Sequence, residues 1–231
     1  REPRRRTGTG WSRSGKGYNL PMLYSPPVGT LGVDTSGSVN EAQAQALKAR
    51  GFRFVVRSLT VPDGSIHPKA VTAAEVTLIH AAGLALGFYQ MFQTVTLTPA
   101  QGTKDGQSAA MQARALGAPS GMTIYGDSEG QSHESAVNEV AYWNAWAAAI
   151  KTGGYVAGMY VGPGPKMTGA QIGALPDVHS YWMAGSIVPT PTPRGFAMFQ
   201  MNPPNQVIAG QAFDIDCTQV DFSGGAPAFW L

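Results

Sequence analysis

The sequence pairs two acidic residues, Asp127 and Glu129, directly after the apolar segment 122–125. In an extended strand, residues i and i+2 point to the same side, with their Cα atoms roughly 6.5–7 Å apart. Two carboxyl groups held this way suit acid–base work on a single bond, as in glycoside hydrolysis. Crowding raises the pKa of one of them, which leaves one acid and one base. The flanking residues Gly126 and Gly130 leave a second interpretation open, in which both carboxyl groups line a solvated loop.

Further polar and aromatic residues follow the other apolar segments. Asp34 ends the first such segment, and Asp214 and Asp216 lie in the last one. Because clustered carboxyl groups are costly to keep without a use, the set indicates a functional site more strongly than any single member does. We predict as catalytic residues Glu129, Asp127, Asp34 and Asp214. We predict as substrate-binding residues Arg57, Tyr89, Tyr160, Trp182, Gln200 and Asp216.

Each of these residues also has a purely structural interpretation. Asp34 is suited to cap the helix that follows it, and Arg57 to form an ion pair with one of the carboxylates. The aromatic residues and Gln200 are suited to pack at the mouth of the fold. Three more aromatic residues recur at helical spacing, which is more typical of a core than of a ligand platform: Tyr142, Trp143 and Trp146.

The elements that must position these residues alternate along the chain. Strands are predicted over residues 31–34, 52–59, 84–92, 122–125 and 155–161, and helices over 41–50, 70–82, 106–116 and 134–152. Later, one short helix is predicted over 169–175, and strands over 178–184, 196–201 and 213–217. This order predicts an α/β fold, a (β/α)8 TIM-like barrel with degenerate helices in the last third. In such a barrel the carboxyl ends of the strands converge on one rim, where active sites lie.

Competing architectures and chemistries lack their motifs. A doubly wound sheet would carry a phosphate-binding turn after its first strand, but the segment 34–38 (DTSGS) does not match G-x-G-x-x-G. Ser36 is not in the G-x-S-x-G elbow of serine hydrolases. Four histidines are scattered without the spacing of a zinc site: His67, His80, His133 and His179. We therefore expect no cofactor and no metal.

The composition indicates a folded domain with a hydrophobic core, without a membrane-spanning helix or an intrachain disulfide. Hydrophobic residues make up 43% of the chain and charged residues 13%, which is enough apolar material for a sizeable core. No apolar run approaches the roughly 18 residues of a membrane helix. The single cysteine, Cys217, excludes an intrachain disulfide.

Charge divides the chain near residue 30. Residues 1–33 carry six Lys or Arg against one Asp or Glu, and the rest carries ten against thirteen. The mildly acidic body argues against nucleic-acid binding. We interpret residues 1–30 as a basic Gly/Ser/Pro-rich arm or linker, a candidate attachment point for an assembly or fusion partner, and residues 31–231 as the barrel domain. The arginines at 4–6 precede a polar segment, so we predict no signal peptide there.

Several segments resemble one known family: GVDTS at 32–36, LKARGFRFVVR at 47–57, AAGLALGFYQ at 81–90, GAP at 117–119 and GGYVAGMY at 153–160. They are similar to the glycoside-hydrolase-like domains once labelled domain of unknown function 1906, over about residues 31–222. That family is related to the family 25 lysozymes, which have a modified barrel. Those lysozymes cleave the β-1,4 bond between N-acetylmuramic acid and N-acetylglucosamine in peptidoglycan.

The resemblance implies roles for individual residues. Asp34 corresponds to the strand-one Asp of the lysozymes. Asp127 and Glu129 correspond to their strand-four D-x-E, with Glu129 as the proton donor. Trp182 resembles their strand-six aromatic residue, and Asp214 corresponds to their strand-eight Asp.

The sequence also departs from the lysozyme pattern. Their W-Q-Y motif on strand seven is matched by Phe199, Gln200 and Met201, and Asp216 stands where the lysozymes often have Asn. The resemblance implies a glycoside hydrolase acting on bacterial cell-wall peptidoglycan, in an extracellular, cell-envelope or virion-associated location. The alternative is a non-catalytic glycan-binding or structural barrel module of a larger phage, secretion-system or wall-associated assembly.

Overall fold

The structure is a computed structural model that describes residues 22–59, 69–91, 97–129 and 135–231. Most of the predicted basic arm, residues 1–21, lies outside the described residues, as do Gly130, His67 and His133. The described residues form eleven strands and five helices. Their order and pairing confirm the predicted α/β barrel.

Eight strands close the barrel. They are β2 (Leu31–Thr35), β3 (Phe54–Leu59), β4 (Ala85–Met91), β5 (Thr123–Asp127), β6 (Val156–Val161), β7 (Val178–Met183), β8 (Met198–Gln200) and β10 (Gln211–Thr218). From β2 to β8 each strand is parallel to its neighbours. β10 closes the circle and is antiparallel to both β8 and β2.

The last barrel strand reverses because its connection is short. A parallel crossover needs a dozen or more residues, usually including a helix, and here only residues 201–210 separate β8 from β10. Within them, β9 (Gln206–Ile208) forms a hairpin with β10. The sequence predicts neither this hairpin nor the reversal. Because of the reversal, Asp214 near the amino end of β10 lies beside Asp34 at the carboxyl end of β2.

Five helices pack outside the strands: α1 (Glu41–Ala49), α2 (Ala73–Ala81), α3 (Pro99–Leu116), α4 (Ala136–Thr152) and α5 (Gly169–Gly173). α3 begins well before the predicted start at 106, because the Thr98 side chain caps it and a proline occupies its first turn. Gly102, which disfavours a helix in the sequence, is needed for packing: a Cβ there would overlap the Tyr142 carbonyl on α4. Within the described part of the chain, no helix is both long and apolar enough to cross a membrane.

The apolar residues form two layers. Between strands and helices lie the fully buried side chains of Trp143 and Trp146 on α4, as predicted for a core. Inside the barrel lies a second cluster that includes Phe54, Tyr125 and Phe229. This inner cluster fills the barrel below the rim, and a cleft opens above it, at the carboxyl ends of the parallel strands.

Two short strands close the opposite end of the barrel. β11 (Phe229–Trp230) pairs with β4, and β1 (Leu23–Tyr24) pairs with β11. The Phe229 ring lies 4.6 Å from the Phe54 ring, which plugs the barrel from below. Residues 22–30, assigned by sequence to the arm, therefore belong to the folded unit, since two-residue strands leave no periodic signal in a sequence.

Candidate active site

A cleft of about 320 Å³ opens at the carboxyl ends of the parallel strands. Asp34 reaches it from the end of β2, Asp127 from the end of β5 and Asp214 from β10. Glu129, two residues beyond β5, lies at its rim. The four residues predicted as catalytic are thus brought together in one cleft.

Strand register explains why these side chains converge. Residues paired across neighbouring strands point to the same face of the sheet. Asp127 pairs with Tyr160 on β6, which pairs with Trp182 on β7. Asp214 pairs with Asp34 on β2. All five side chains line the cleft.

Aromatic rings form one wall of the cleft. Tyr89, Tyr160 and Trp182 line it and are nearly buried. The Trp182 ring contacts Tyr160 edge to face, with centroids 4.5 Å apart, and Tyr89 at 6.4 Å. Such edge-to-face pairs hold ring orientation, so this wall is rigid, and the part of it left uncovered suits the apolar face of a sugar ring.

Gln200 connects the carboxyl groups across the cleft. Its Nε2 donates to Asp34 Oδ2 at 2.9 Å and to Asp214 Oδ2 at 3.2 Å. Its Oε1 lies 3.2 Å from the Tyr160 hydroxyl. The amide thus presents its donors to the carboxylates and its acceptor to the phenol. In this arrangement Gln200 fixes the distance between Asp34 and Asp214.

The Asp127 side chain is nearly buried and accepts a hydrogen bond from the backbone two residues further along the chain. Its Oδ1 accepts a hydrogen bond from the Glu129 backbone N at 2.8 Å, and only 8% of the residue is exposed. Burial raises the pKa of Asp127 to about 7, although this hydrogen bond opposes the rise. The Asp127 carboxyl group is therefore protonated more readily than that of an exposed aspartate.

The Glu129 carboxyl group lies against Tyr160, although the residue as a whole is exposed. Partial burial raises the pKa of Glu129, the nearby Asp214 raises it further, and the Tyr160 hydrogen bond opposes the rise. The Tyr160 hydroxyl lies 3.3 Å from Glu129 Oε1 and 3.2 Å from Gln200 Oε1. Since it has one proton, it donates to one of them at a time. A carboxyl group with a raised pKa at the rim suits a proton donor.

Sequence comparison decides the family. The sequence model of the Rv2525c-like, glycoside hydrolase-like domain matches residues 45–211, most of the chain. The chain belongs to this family. The match includes Asp127, Glu129 and Gln200, whereas Asp34 and Asp214 lie just outside it. Comparison with curated protein sequences gives no significant match.

Solved structures share the fold of this glycoside hydrolase-like domain. The Tat-secreted protein Rv2525c of Mycobacterium tuberculosis, in complex with L-tartrate, aligns with a TM-score of 0.61 and 17% identity, covering 84% of this chain and 96% of that one. The bacterial lysozyme of Streptomyces coelicolor aligns with a TM-score of 0.56 and 16% identity, covering 84% and 94%. The muramidase of Trichobolus zukalii aligns with a TM-score of 0.57 and 16% identity, covering 84% and 95%. These likenesses show the barrel fold.

Arg57, predicted to bind substrate, does not line the cleft of this glycoside hydrolase-like domain. It is fully buried, and its Nε lies 2.5 Å from Glu75 Oε1 on α2. Its other nitrogens donate to the Thr35 and Lys69 carbonyls, both at 2.7 Å. The structure thus favours the ion-pair interpretation, with Glu75 as partner instead of a cleft carboxylate.

Asp216, also predicted to bind substrate, lies below the cleft. It is fully buried, and its Oδ1 accepts from Trp182 Nε1 at 2.9 Å. Burial raises the pKa of Asp216 well above its usual range, as does the neighbouring Asp34. Burial likewise raises the pKa of Asp34, as do the charges of nearby carboxylates. Asp216 thus lies near enough to Asp34 for the two acids to influence each other's protonation, and its hydrogen bond supports the Trp182 ring from beneath.

Sequence reasoning missed several residues of the site. Asn205 lines the cleft and donates its backbone N–H to Asp214 Oδ1. Met91 lines it from the end of β4. Gly162 contacts the Asp127–Glu129 segment directly, through the hydroxyl of Ser128 and the side chain of Glu129. Gly162 could have been found from the sequence, since it follows a predicted strand whose last residues include Tyr160. Asn205 could not, because its position depends on the β9–β10 hairpin, which the sequence did not predict.

Charge in the cleft has one sign. Among the described residues that line it, none is Lys, Arg or His. The charge of Asp214 therefore raises the pKa of both Asp34 and Glu129, and no described lining residue is a cation that would offset the effect. Within the described part of the chain, no group of three or more His, Cys, Asp or Glu residues is arranged to hold a metal ion.

Proposed function

We propose that this glycoside hydrolase-like domain hydrolyses the glycan of bacterial cell-wall peptidoglycan, as muramidases do. One observation carries the proposal: Glu129, Asp127, Asp34 and Asp214 line a single cleft beside an aromatic wall. The likeness to a bacterial lysozyme and to a muramidase supports the choice of glycan. A structural module would have no need to hold four carboxyl groups in one cleft.

The chemistry divides between the two carboxyl groups after β5. Glu129, whose pKa is raised, protonates the oxygen of the leaving sugar. Asp127 stabilises the positive charge that develops at C1, either by attacking it or by orienting the substrate's acetamido group as the nucleophile. The hydrogen bond from the Glu129 backbone fixes the orientation of the Asp127 carboxyl group for this task.

The remaining residues bind and orient the sugar. Asp34 and Asp214, bridged by the side-chain amide of Gln200, are placed to accept hydrogen bonds from sugar hydroxyl groups. Tyr89 and Trp182 provide the wall for stacking. Because peptidoglycan lies outside the cytoplasm, the protein would act outside the cytoplasm. Rv2525c, whose fold it shares, is a Tat-secreted protein, which agrees with this location.

Glu129→Gln tests this proposal. The variant keeps the shape of the side chain and removes its proton, so release of soluble fragments from purified peptidoglycan should fall by about 10²–10⁴-fold. Mass spectrometry of the soluble fraction measures the release. Glu41→Gln, the same change at an exposed position in the first turn of α1, is the matched control and should keep wild-type activity.

The outcomes separate the candidate functions. A Glu129→Gln variant with full activity would contradict the assigned proton donor. Retention of the wild-type protein on insoluble peptidoglycan without any release would favour the non-catalytic binding module instead. Neither release nor retention would reject peptidoglycan as the ligand.

A further inference from the structure

Gly162 lies directly beneath the side chain of Glu129. It follows the last residue of β6 and is buried. A Cβ built on Gly162 would collide with Glu129 Cγ and would lie 2.7 Å from both Cδ and Oε1. Side chains almost never approach a Cβ within 3.0 Å, so any other residue here would displace Glu129.

Backbone conformation does not explain this glycine. The glycines with positive φ in the described chain do not include Gly162, so alanine is compatible with its backbone. Ordinary core packing does not explain it either. Gly158, on β6, faces the buried Tyr125 ring, whereas Gly162, just after β6, faces the exposed residue Glu129 at the cleft rim.

Ser128 ties Gly162 to the Asp127–Glu129 segment. Ser128 is fully buried between the two acidic residues. Its Oγ donates to the Tyr160 carbonyl at 2.9 Å and accepts from the Gly162 backbone N at 3.1 Å. Its backbone N also donates to the Tyr160 carbonyl, at 3.2 Å. The residue between the acids thus fixes the backbone on which the Glu129 side chain rests.

We propose that Ser128, Tyr160 and Gly162 form a seat that positions the Glu129 carboxyl group. Ser128 and the Tyr160 carbonyl set the position of the Gly162 backbone, the absent Cβ leaves room for Glu129 Cγ, and the Tyr160 hydroxyl contacts Oε1. Gly162 and Ser128 are positioning residues that act through Glu129. Their effect on rate rests on the proposed function, but the contacts of the seat do not.

A stability cycle tests the contact without any assay of activity. Gly162→Ala should be less favourable in the wild-type background than in the Glu129→Ala background, because only the wild type must displace Glu129 Cγ. A difference of about 1 kcal/mol between the backgrounds corresponds to about 2–4 °C in Tm for a chain of this size. In the Glu129→Ala background, where Cγ is absent, the same change should cost little. Gly158→Ala is the matched control, because its collision with Tyr125 should lower Tm equally in both backgrounds.

Two further measurements separate a positioning role from a structural one. In Gly162→Ala, kcat for fragment release should fall by about 10- to 100-fold with little change in KM, as expected for a small misplacement of a reacting group. The pKa of Glu129, followed by NMR of its carboxyl carbon, should drop toward its ordinary value, because a displaced side chain leaves its partly buried site.

Ser128→Ala keeps the proposal testable if Gly162→Ala fails to fold. It removes the hydroxyl that holds Gly162 and should lower kcat and the Glu129 pKa in the same directions. An equal Tm penalty for Gly162→Ala in both backgrounds, or an unchanged Glu129 pKa in both variants, would overturn the seat. A wild-type protein without hydrolase activity would reject the proposed function alone, since the stability cycle and the pKa would still decide the seat.

Discussion

Burial of individual acidic residues in and below the cleft raises the pKa of their carboxyl groups. Asp34, Asp127 and Asp216 have raised pKa values chiefly because they are removed from water, and the buried guanidinium of Arg57 is paired with Glu75 instead of with any of them. Asp216 shows the effect most clearly. It accepts one hydrogen bond, from Trp182, and both its burial and the charge of Asp34 raise its pKa.

Asp216→Asn should therefore preserve the fold and stabilise it as pH rises. The raised pKa means that Asp216 contributes stability fully below its unfolded pKa of about 4 and loses it as pH rises through the folded value. Each pH unit in that window costs about 1.4 kcal/mol. Asparagine keeps the acceptor for Trp182 and has no proton to lose. Urea unfolding at pH 4 and pH 8 should show the variant gaining on the wild type at pH 8.

Asp177→Asn is the matched control for that measurement, since Asp177 pairs with Lys151 at the surface. It should change the free energy of unfolding little at either pH. A large loss of stability in Asp216→Asn at both pH values would mean that Asp216 is ionised in the native protein.

The sequence was sufficient to predict which carboxyl residues meet in the cleft, but not which of the predicted site residues are buried below it. Asp34, Asp127 and Glu129 were identifiable because they end or follow apolar strands, and carboxyl ends of parallel strands meet at one rim. Asp214 reaches the same rim for a different reason, since it lies near the amino end of the antiparallel strand β10. Burial of Arg57 and Asp216 was not identifiable, because their partners, Glu75 and Trp182, lie 18 and 34 residues away in sequence. Position along a strand gives the side a residue faces but not its depth.

At the scale of secondary structure, two features position the residues of the cleft: the parallel strands and a buried ion pair between a strand and a helix. Arg57 on β3 and Glu75 on α2 lock the helix onto the sheet beside the end of β2, and Glu75 Oε1 also accepts from the Val39 backbone N at 2.9 Å. This pair therefore fixes the loop that leaves Asp34. Its contribution to the site is positional.

Arg57→Met should destabilise the protein by about 3–5 kcal/mol, because it leaves the Glu75 carboxylate buried and unpaired. The double variant Arg57→Met/Glu75→Leu should recover much of that loss. Denaturant unfolding measures both. Lys151→Met, which breaks an exposed pair, is the matched control and should cost under about 1 kcal/mol. If Arg57→Met stayed as stable as the wild type and only raised KM, Arg57 would be a substrate-binding residue after all.

Short elements explain what the sequence concealed at this scale. Long helices and strands such as α4 and β4 were predictable from apolar periodicity and glycine boundaries. β9, β11 and β1 have two or three residues each, too few for a period to appear. The reversal of β10 depends on the hairpin with β9, so its direction was hidden for the same reason.

The whole molecule separates a closed end from an open one. Phe229 and the β1–β11 pair fill the amino end of the barrel, and the carboxyl groups gather at the other end. The body of the chain has a small excess of acidic residues, and a concentrated share of them lies in this one cleft. A cleft lined by acidic and aromatic residues, with no Lys, Arg or His among its described lining residues, disfavours polyanionic ligands.

The most direct test of this account is digestion of purified peptidoglycan in water enriched in oxygen-18, with mass spectrometry of the released glycan. Hydrolysis at C1 adds one oxygen from water to each new reducing end. The account predicts heavy oxygen on new muramic acid reducing ends from the wild type, and their loss in Glu129→Gln. Fragments that lack the heavy oxygen, or new ends on a different sugar, would contradict hydrolysis of the muramidase bond by this cleft.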